Sequence, residues 1–296
     1  MDAITNQQYF SREGLFRLPV NNCKKYSQYY IVKSMGNKSP SENTITFLGT
    51  AGARFMVIKQ LAASGGLWLN LNGTEILVDP GPGSIVQATK RKLNAEKLSA
   101  IILSHRHLDH SADVNIMIEA MTQGGFNRHG WLFAPADALE SEPIIFSYLK
   151  SNLDGIEVLK EGKSYSVGNV SFSTPIRHVH PVETYGILFK DAKHTFAYIA
   201  DSRYFDGLCQ SYNSELLIIN VVFLEAKQHI DHLSVPDVEH IITELKPKVA
   251  ILTHFGMTIW QANPWETAER LSQQTGVKVL AARDGMRFDL SQLDNY

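Results

Sequence analysis

One fifteen-residue stretch, SAIILSHRHLDHSAD, limits what this chain can be more than any other part of it. An apolar run, Ala100 to Leu103, leads into His105, His107, Asp109 and His110, and a helical pattern follows at once. Neutral imidazoles and a carboxylate are the expected ligands of zinc or another divalent transition metal. A turn at a strand end can fold alternate side chains toward one point, whereas a straight strand or helix would scatter them. With 11 histidines in the chain, scattered pairs carry little weight. Three of them with an aspartate, directly after a buried strand, point to a metal site rather than a His-rich surface loop.

The surrounding sequence reads as mixed α and β. Residues 1–43 lack clear periodicity and end in the Gly/Ser/Pro/Asn-rich GNKSPSEN, so they read as an arm or linker, with the main domain starting near Thr44. TITFL, LWLNL and EILVD follow as short strands closed by turn residues, which predicts an antiparallel beginning. Later strands such as SAIIL, TFAYIA, ELLIIN and VAIL alternate with amphipathic helices. Ser111 is positioned to cap a helix whose apolar residues are Val114, Met117, Ile118 and Met121. Ser234 with Asp237 forms a capping box before Val238, Ile241, Ile242 and Leu245. Trp265 to Thr275 makes a third helix, closed by Gly276.

Composition excludes more than it selects. A formal charge of −2 gives no global basic field for a polynucleotide. Cys23 and Cys209 lie far apart without a CxxC pair, so neither a disulfide framework nor a thiolate zinc site is expected, and a reducing cytoplasm fits. The N-terminus lacks the apolar core of a secretory signal, and the most apolar run, Leu216 to Leu224, is too short to span a bilayer.

The motif formed by His105, His107, Asp109 and His110 resembles the HxHxDH signature of the metallo-β-lactamase superfamily, and the likeness extends from about Thr44 to the C-terminus. The resemblance implies an α/β four-layer αββα sandwich with two metal ions, zinc first among them and manganese or iron as alternatives, at one sheet edge. It also implies further ligands. TPIRHVHPVETYGILF supplies His178 and His180, TFAYIADSR supplies Asp201, and VAILTHFG supplies His254, each after a run that a sheet would bury. By the family's pattern His105, His107 and His180 hold one metal, Asp109, His110 and His254 hold the other, and Asp201 bridges them. His180 is preferred to His178 because its distance to Gly186 matches the His-to-Gly spacing of phosphodiesterase members such as tRNase Z.

The resemblance further suggests that Asp109 both binds the second metal and orients the attacking water. In AKQHIDHLSVPD, His232 beside Leu233 and Ser234 fits the element whose histidine protonates or holds the leaving oxygen in phosphodiesterase members, with a solvated loop histidine as the plain alternative. Help of that kind matters most for a poor leaving group, which favours phosphodiester cleavage over lactone opening. Three departures weaken a tRNA-processing reading: the HLDH spelling lacks a glycine before the aspartate, Asn220 stands where those enzymes carry glutamate, and the long tRNA-gripping arm is missing. The interval offered for such an arm, Asp137 to Gly168, is short and helix-like. A small or cyclic phosphodiester or a short oligonucleotide is therefore expected, and a long nucleic acid is disfavoured.

Other segments read more plainly. FLGTAGAR, with Gly49 and Gly52, is a turn near the site rather than a nucleotide loop. In VDPGPGS, Gly81 and Gly83 permit close backbone passage, and Asp79 is either a partner orienting a ligand histidine or a turn carboxylate. The rival functions are hydrolysis of a lactone, thioester or other acyl compound at the same site, iron redox chemistry, and a non-catalytic scaffold. Di-iron relatives place a carboxylate where His107 stands and carry a flavodoxin-like domain for which this chain has no room. The arm is a candidate for a dimer-forming element or a lid.

Overall fold

A computed structural model of the chain describes residues 43–140, 143–191 and 193–296. The arm expected over residues 1–43 lies outside the described residues, Asn43 apart. Asn43 itself is bonded into the domain: its side chain accepts from the Asn72 amide at 2.7 Å and donates to Asp191 at 2.8 Å.

Strands form where the sequence alternates or runs apolar. In chain order they are β1 (Thr44–Phe47), β2 (Leu67–Leu71), β3 (Thr74–Val78), β4 (Leu98–Ile102), β5 (Trp131–Ala134), β6 (Gly155–Val158) and β7 (Lys163–Val167). Then follow β8 (Val170–Thr174), β9 (Ile187–Lys190), β10 (Thr195–Ile199), β11 (Leu216–Asn220), β12 (Val249–Thr253), β13 (Lys278–Ala281) and β14 (Arg287–Asp289). They build two sheets, ordered β14-β1-β2-β3-β4-β5-β6 and β13-β12-β11-β10-β9-β8-β7. The expected antiparallel beginning is present, since β1, β2 and β3 pair antiparallel. Asn72 and Gly73 close the β2–β3 hairpin with φ of 50° and 77°, the conformation that an Asn-Gly pair adopts at low cost.

Period two decides the layering. On β10 and β11, Phe196, Tyr198, Leu216 and Ile218 face the core between the sheets, while Ala197, Ile199, Leu217 and Ile219 face the opposite side. β4 divides likewise from Ala100 on, with Ala100 and Ile102 inward and Ile101 outward, while a register shift against β3 turns Leu98 outward as well. Strands buried on both faces need helices on the outside. Val114, Met117, Ile118 and Met121 cover one sheet, and Val238, Ile241, Ile242, Ala268 and Leu271 cover the other. The result is the expected αββα sandwich. Each Val, Leu, Ile, Phe or Met among them contributes about 1.5–3 kcal/mol on removal from water.

Two local expectations need correction. Ser111 does not cap the helix over Val114–Met121: Asp113 takes the cap position, and Ser111 ends the single turn Leu108–Ser111, its hydroxyl donating back to the Arg106 and His107 carbonyls. The interval Asp137 to Gly168 is only partly helical. After two short helices, Ala136–Leu139 and Ser147–Lys150, it forms β6 and β7, an edge strand of each sheet, because Ile156, Val158, Tyr165 and Val167 have apolar surface to bury. The capping box of Ser234 and Asp237 is present, and the third helix runs Pro264–Thr275 with Gly276 left-handed behind it.

Candidate metal centre

Parallel strands end in loops that all leave the same edge of a sheet, and that edge is where polar side chains from distant segments can meet. β3 and β4 run parallel in one sheet, and β10, β11 and β12 run parallel in the other. Asp79 follows β3, His105 follows β4, Asp201 follows β10, Asn220 ends β11 and His254 follows β12. Asp79 and His254 have φ of 52° and 59°, left-handed values that cost a non-glycine residue of order 1 kcal/mol or more.

Two glycine loops press against this edge. A Cβ on Gly52 would lie 2.2 Å from Nδ1 of His254, and one on Gly81 would lie 2.0 Å from the Asp109 carbonyl oxygen. Both FLGTAGAR and VDPGPGS thus border the site. Gly83 differs from Gly81: a Cβ there meets nothing, and its φ of 86° is what requires glycine.

Among the described residues, three groups of ligand-type residues lie at this edge; one of them, Asp79, His105 and His110, shares His105 and His110 with the other two. His105, His107 and His180 form the second, with Nε2 of His180 3.0 Å from Nδ1 of His107. Asp109, His110 and His254 form the third, with Nε2 of His254 3.3 Å from Oδ2 of Asp109. Asp201 lies among the last two. Its Oδ2 is 3.5 Å from Nε2 of His110 and 3.9 Å from Nε2 of His105, and its Oδ1 is 3.5 Å from Nδ1 of His254.

Behind these residues stand partners that fix their orientation. Nδ1 of His110 donates to Oδ2 of Asp79 at 2.9 Å, which turns Nε2 toward the centre. Asp79 also accepts from the Ser104 amide and hydroxyl and from the Tyr198 hydroxyl, so of its two readings the orienting partner fits and the plain turn carboxylate does not. Nδ1 of His180 donates to the Asp231 carbonyl at 2.9 Å. Asn220 donates to Oδ1 of Asp201 at 2.8 Å. His178 is in none of these groups: its Nδ1 donates to the Asp201 carbonyl at 3.2 Å, and its Nε2 accepts from the Tyr212 hydroxyl at 2.9 Å. His232 projects from the loop before the capped helix, with Nδ1 3.4 Å from Oδ2 of Asp201 and its ring 5.2 Å from that of His180.

Charge is concentrated here without charge balance. Burial pushes His105, His107, His180 and His232 below the ordinary imidazole range, His105 furthest. Burial opposes the charged form of His110 too, but Asp201, Asp109 and Asp79 outweigh it and hold His110 well above that range. Burial would raise Asp201, yet His254, His110 and His232 hold it well below the usual carboxylate range.

The β-lactamase superfamily domain model matches residues 74–255, which contain the whole of this constellation. An uncharacterized protein of Methanocaldococcus jannaschii is 31% identical over 256 residues, 83% of this chain and 94% of that protein. The chain belongs to the metallo-β-lactamase superfamily. Among solved structures, the metallo-β-lactamase fold protein YhfI from Bacillus subtilis superposes with a TM-score of 0.71 at 24% identity, covering 83% of this chain and 98% of that one. Human tRNase Z, short form, gives a TM-score of 0.61 at 17% identity over 83% of this chain and 98% of that one. A ribonuclease Z of Kineococcus radiotolerans is 31% identical over 127 residues, but this spans only 42% of this chain and 39% of that protein.

Proteins of this superfamily bind divalent metal, and the residues present fit one. Nε2 of His105, Nε2 of His110 and both ring nitrogens of His254 are buried without a hydrogen-bond partner. Buried imidazole nitrogens are ordinarily paired, and four left over in one small volume beside two carboxylates make a cation-binding donor set.

The supporting contacts leave a weaker mark in the sequence than the metal-competent residues themselves. Asn220 drew notice only for not being glutamate, and Ser104, Tyr198 and Tyr212 gave no signal as partners. Tyr198 sits in an apolar run where a phenol reads as core, although period two does place it on the inner face.

Proposed function

We propose that the chain is a dinuclear metal-dependent hydrolase that cleaves a small phosphodiester. His105, His107 and His180 would hold one ion, Asp109, His110 and His254 the other, with Asp201 between them. Zinc suits the imidazole and carboxylate donors, and manganese and iron are the alternatives. Bound there, two such ions supply a water acidic enough to be hydroxide near neutral pH and neutralise charge developing on the attacked group.

The observation that carries the phosphodiester reading is His232. It leaves the protein through a loop, remains 17% exposed at its side chain, and overhangs Asp201. With Nδ1 turned toward that carboxylate, Nε2 is the atom placed to hold the leaving oxygen, and it passes a proton there once the ring has taken one up from solvent. A sugar alkoxide needs that proton, and an activated acyl compound does not. Asp109, 18% exposed at its side chain and 3.3 Å from His254, accepts the hydrogen bond that orients the nucleophile.

The substrate is a small or cyclic phosphodiester or a short oligonucleotide, because residues 143–168 go into a short helix and the edge strands β6 and β7. The net charge of −2 supports the same choice. No helix among the described residues is long and apolar enough to cross a membrane. Cys209 is a free thiol, in keeping with a cytoplasmic site of action.

Hydrolysis of bis(p-nitrophenyl) phosphate by protein loaded with zinc, and separately with manganese, tests the reading against Asp201→Ala. Metal-dependent turnover that the variant lacks supports it. No turnover with both ions demonstrably bound overturns the phosphodiesterase assignment in favour of an acyl substrate.

A further inference from the structure

A line of buried polar contacts joins the two carboxylates that lie deepest in the site. The Asn220 carboxamide donates one N–H to Oδ1 of Asp201 at 2.8 Å and another to the Tyr198 hydroxyl at 3.1 Å. That hydroxyl donates to Oδ2 of Asp79 at 3.0 Å, and the same oxygen accepts from Nδ1 of His110 at 2.9 Å. The route closes on itself, since Nε2 of His110 lies 3.5 Å from Oδ2 of Asp201. Every member is at most 4% exposed.

We infer that Asn220 and Tyr198 are positioning residues for the second metal, acting as one unit that couples the aim of Asp201 to the aim of His110. The inference rests on the dinuclear reading given above. Its physical basis is that a ligand-type side chain is only as well aimed as the group behind it. Here the carboxylate of Asp201 and the imidazole of His110 are aimed from behind by the two ends of one hydrogen-bonded line.

Chemistry supports this choice of residues. A carboxamide has two N–H groups on one nitrogen, so Asn220 serves Asp201 and Tyr198 together, and it adds no charge to a pocket that already holds Asp79, Asp109 and Asp201. A phenol donates once and accepts at the same oxygen, which is what an interior link requires. The backbone register agrees: β10 and β11 run parallel with Tyr198 opposite Ile218, two residues before Asn220, so both side chains face the inner layer near the strand ends. Tyr198 and Asn220 also line a small cleft together with Asp109, His110 and His254. Oδ1 of Asn220 is buried there without a partner.

The test is zinc binding by the full chain in competition with a chelating dye, for the wild type, Tyr198→Phe, Asn220→Leu and the double variant. Tyr198→Phe removes only one oxygen, so it keeps the measurement open should Asn220→Leu fail to fold. The expected result is that each single variant weakens the second zinc equivalent by about 10- to 100-fold. The double variant should lose little beyond the worse single one, as residues acting in one line do. Wild-type affinity in Tyr198→Phe, or fully additive losses in the double variant, overturns the inference. Uptake of fewer than two equivalents by the wild type overturns the dinuclear reading itself, and the unmutated protein alone reveals it.

Discussion

The Asp231 carbonyl accepts a hydrogen bond from Nδ1 of His180 at 2.9 Å, so the loop that carries His232 also aims a metal-competent histidine on another element. Arg203 reaches the same loop, its Nε 3.6 Å from Oδ1 of Asp231. His232 is thereby held against the centre by its neighbour in sequence as well as by its approach to Asp201 and the His180 ring, while its Nδ1 has no hydrogen-bond partner.

This arrangement predicts how His232→Ala behaves. Loss of a proton donor should slow cleavage of a diester with an alkyl leaving group by about 10²- to 10⁴-fold, while a p-nitrophenyl ester changes little. Rates for the two leaving groups, measured with metal content unchanged, decide the matter. An equal fall for both would remove His232 from the reaction.

Metal removal should be visible in stability as well as activity. Zinc at a thousand times its dissociation constant adds about 4 kcal/mol to a folded state that alone binds it, a rise of roughly 10 °C in a domain of this size. Thermal melts of chelator-treated protein with and without added zinc should show that rise, and Asp201→Ala should lose most of it. A rise of full size in the variant would show that Asp201 is not a ligand.

Burial holds His178 down at about 4, against an ordinary value of 6.5. The unfolded chain therefore takes up this proton first as the pH falls. Stability contributed by neutral His178 is complete above pH 6.5 and is lost progressively between about pH 6.5 and 4, to a total of about 3 kcal/mol. Urea midpoints of metal-free protein across that window should fall less steeply for His178→Gln than for the wild type. Parallel slopes would place the titration elsewhere.

Gly52 faces the ring and carbonyl of His254 at distances no Cβ tolerates, 2.2 and 2.3 Å. Gly52→Ala should destabilise the protein by about 1–3 kcal/mol and displace His254, lowering bound metal as measured by elemental analysis. Full metal content in this variant would mean that the loop yields and His254 does not.

The fold and the metal-competent residues could be read from the sequence for different reasons. His105, His107, Asp109 and His110 are close along the chain, and each remaining candidate follows an apolar run, so a short window exposes them. His180 was separated from His178 by its spacing to Gly186, and the structure places it beside His107 while His178 turns to Tyr212. Asn220, Tyr198 and Ser104 could not be read this way. Alternation fixes which face a side chain takes, but which polar groups meet depends on the register between strands far apart in sequence. Ser111 shows the same limit in a helix: its position suits a cap, yet the chain turns once before the long helix starts, and its hydroxyl is already used.

The placing of β14 has a consequence for how the protein is made. β14 pairs with β1, and Asp284 just before it accepts from the Thr50 hydroxyl and the Ala63 amide, tying down the loop that carries Gly52. On the ribosome, β1 emerges early and must wait, with one edge bare, until almost every other described strand has been synthesised. Contacts this distant in sequence form slowly and leave partly finished chains open to association. The seat of His254 is therefore completed late in the life of each new molecule, because the loop against its ring is anchored only when translation reaches Asp284.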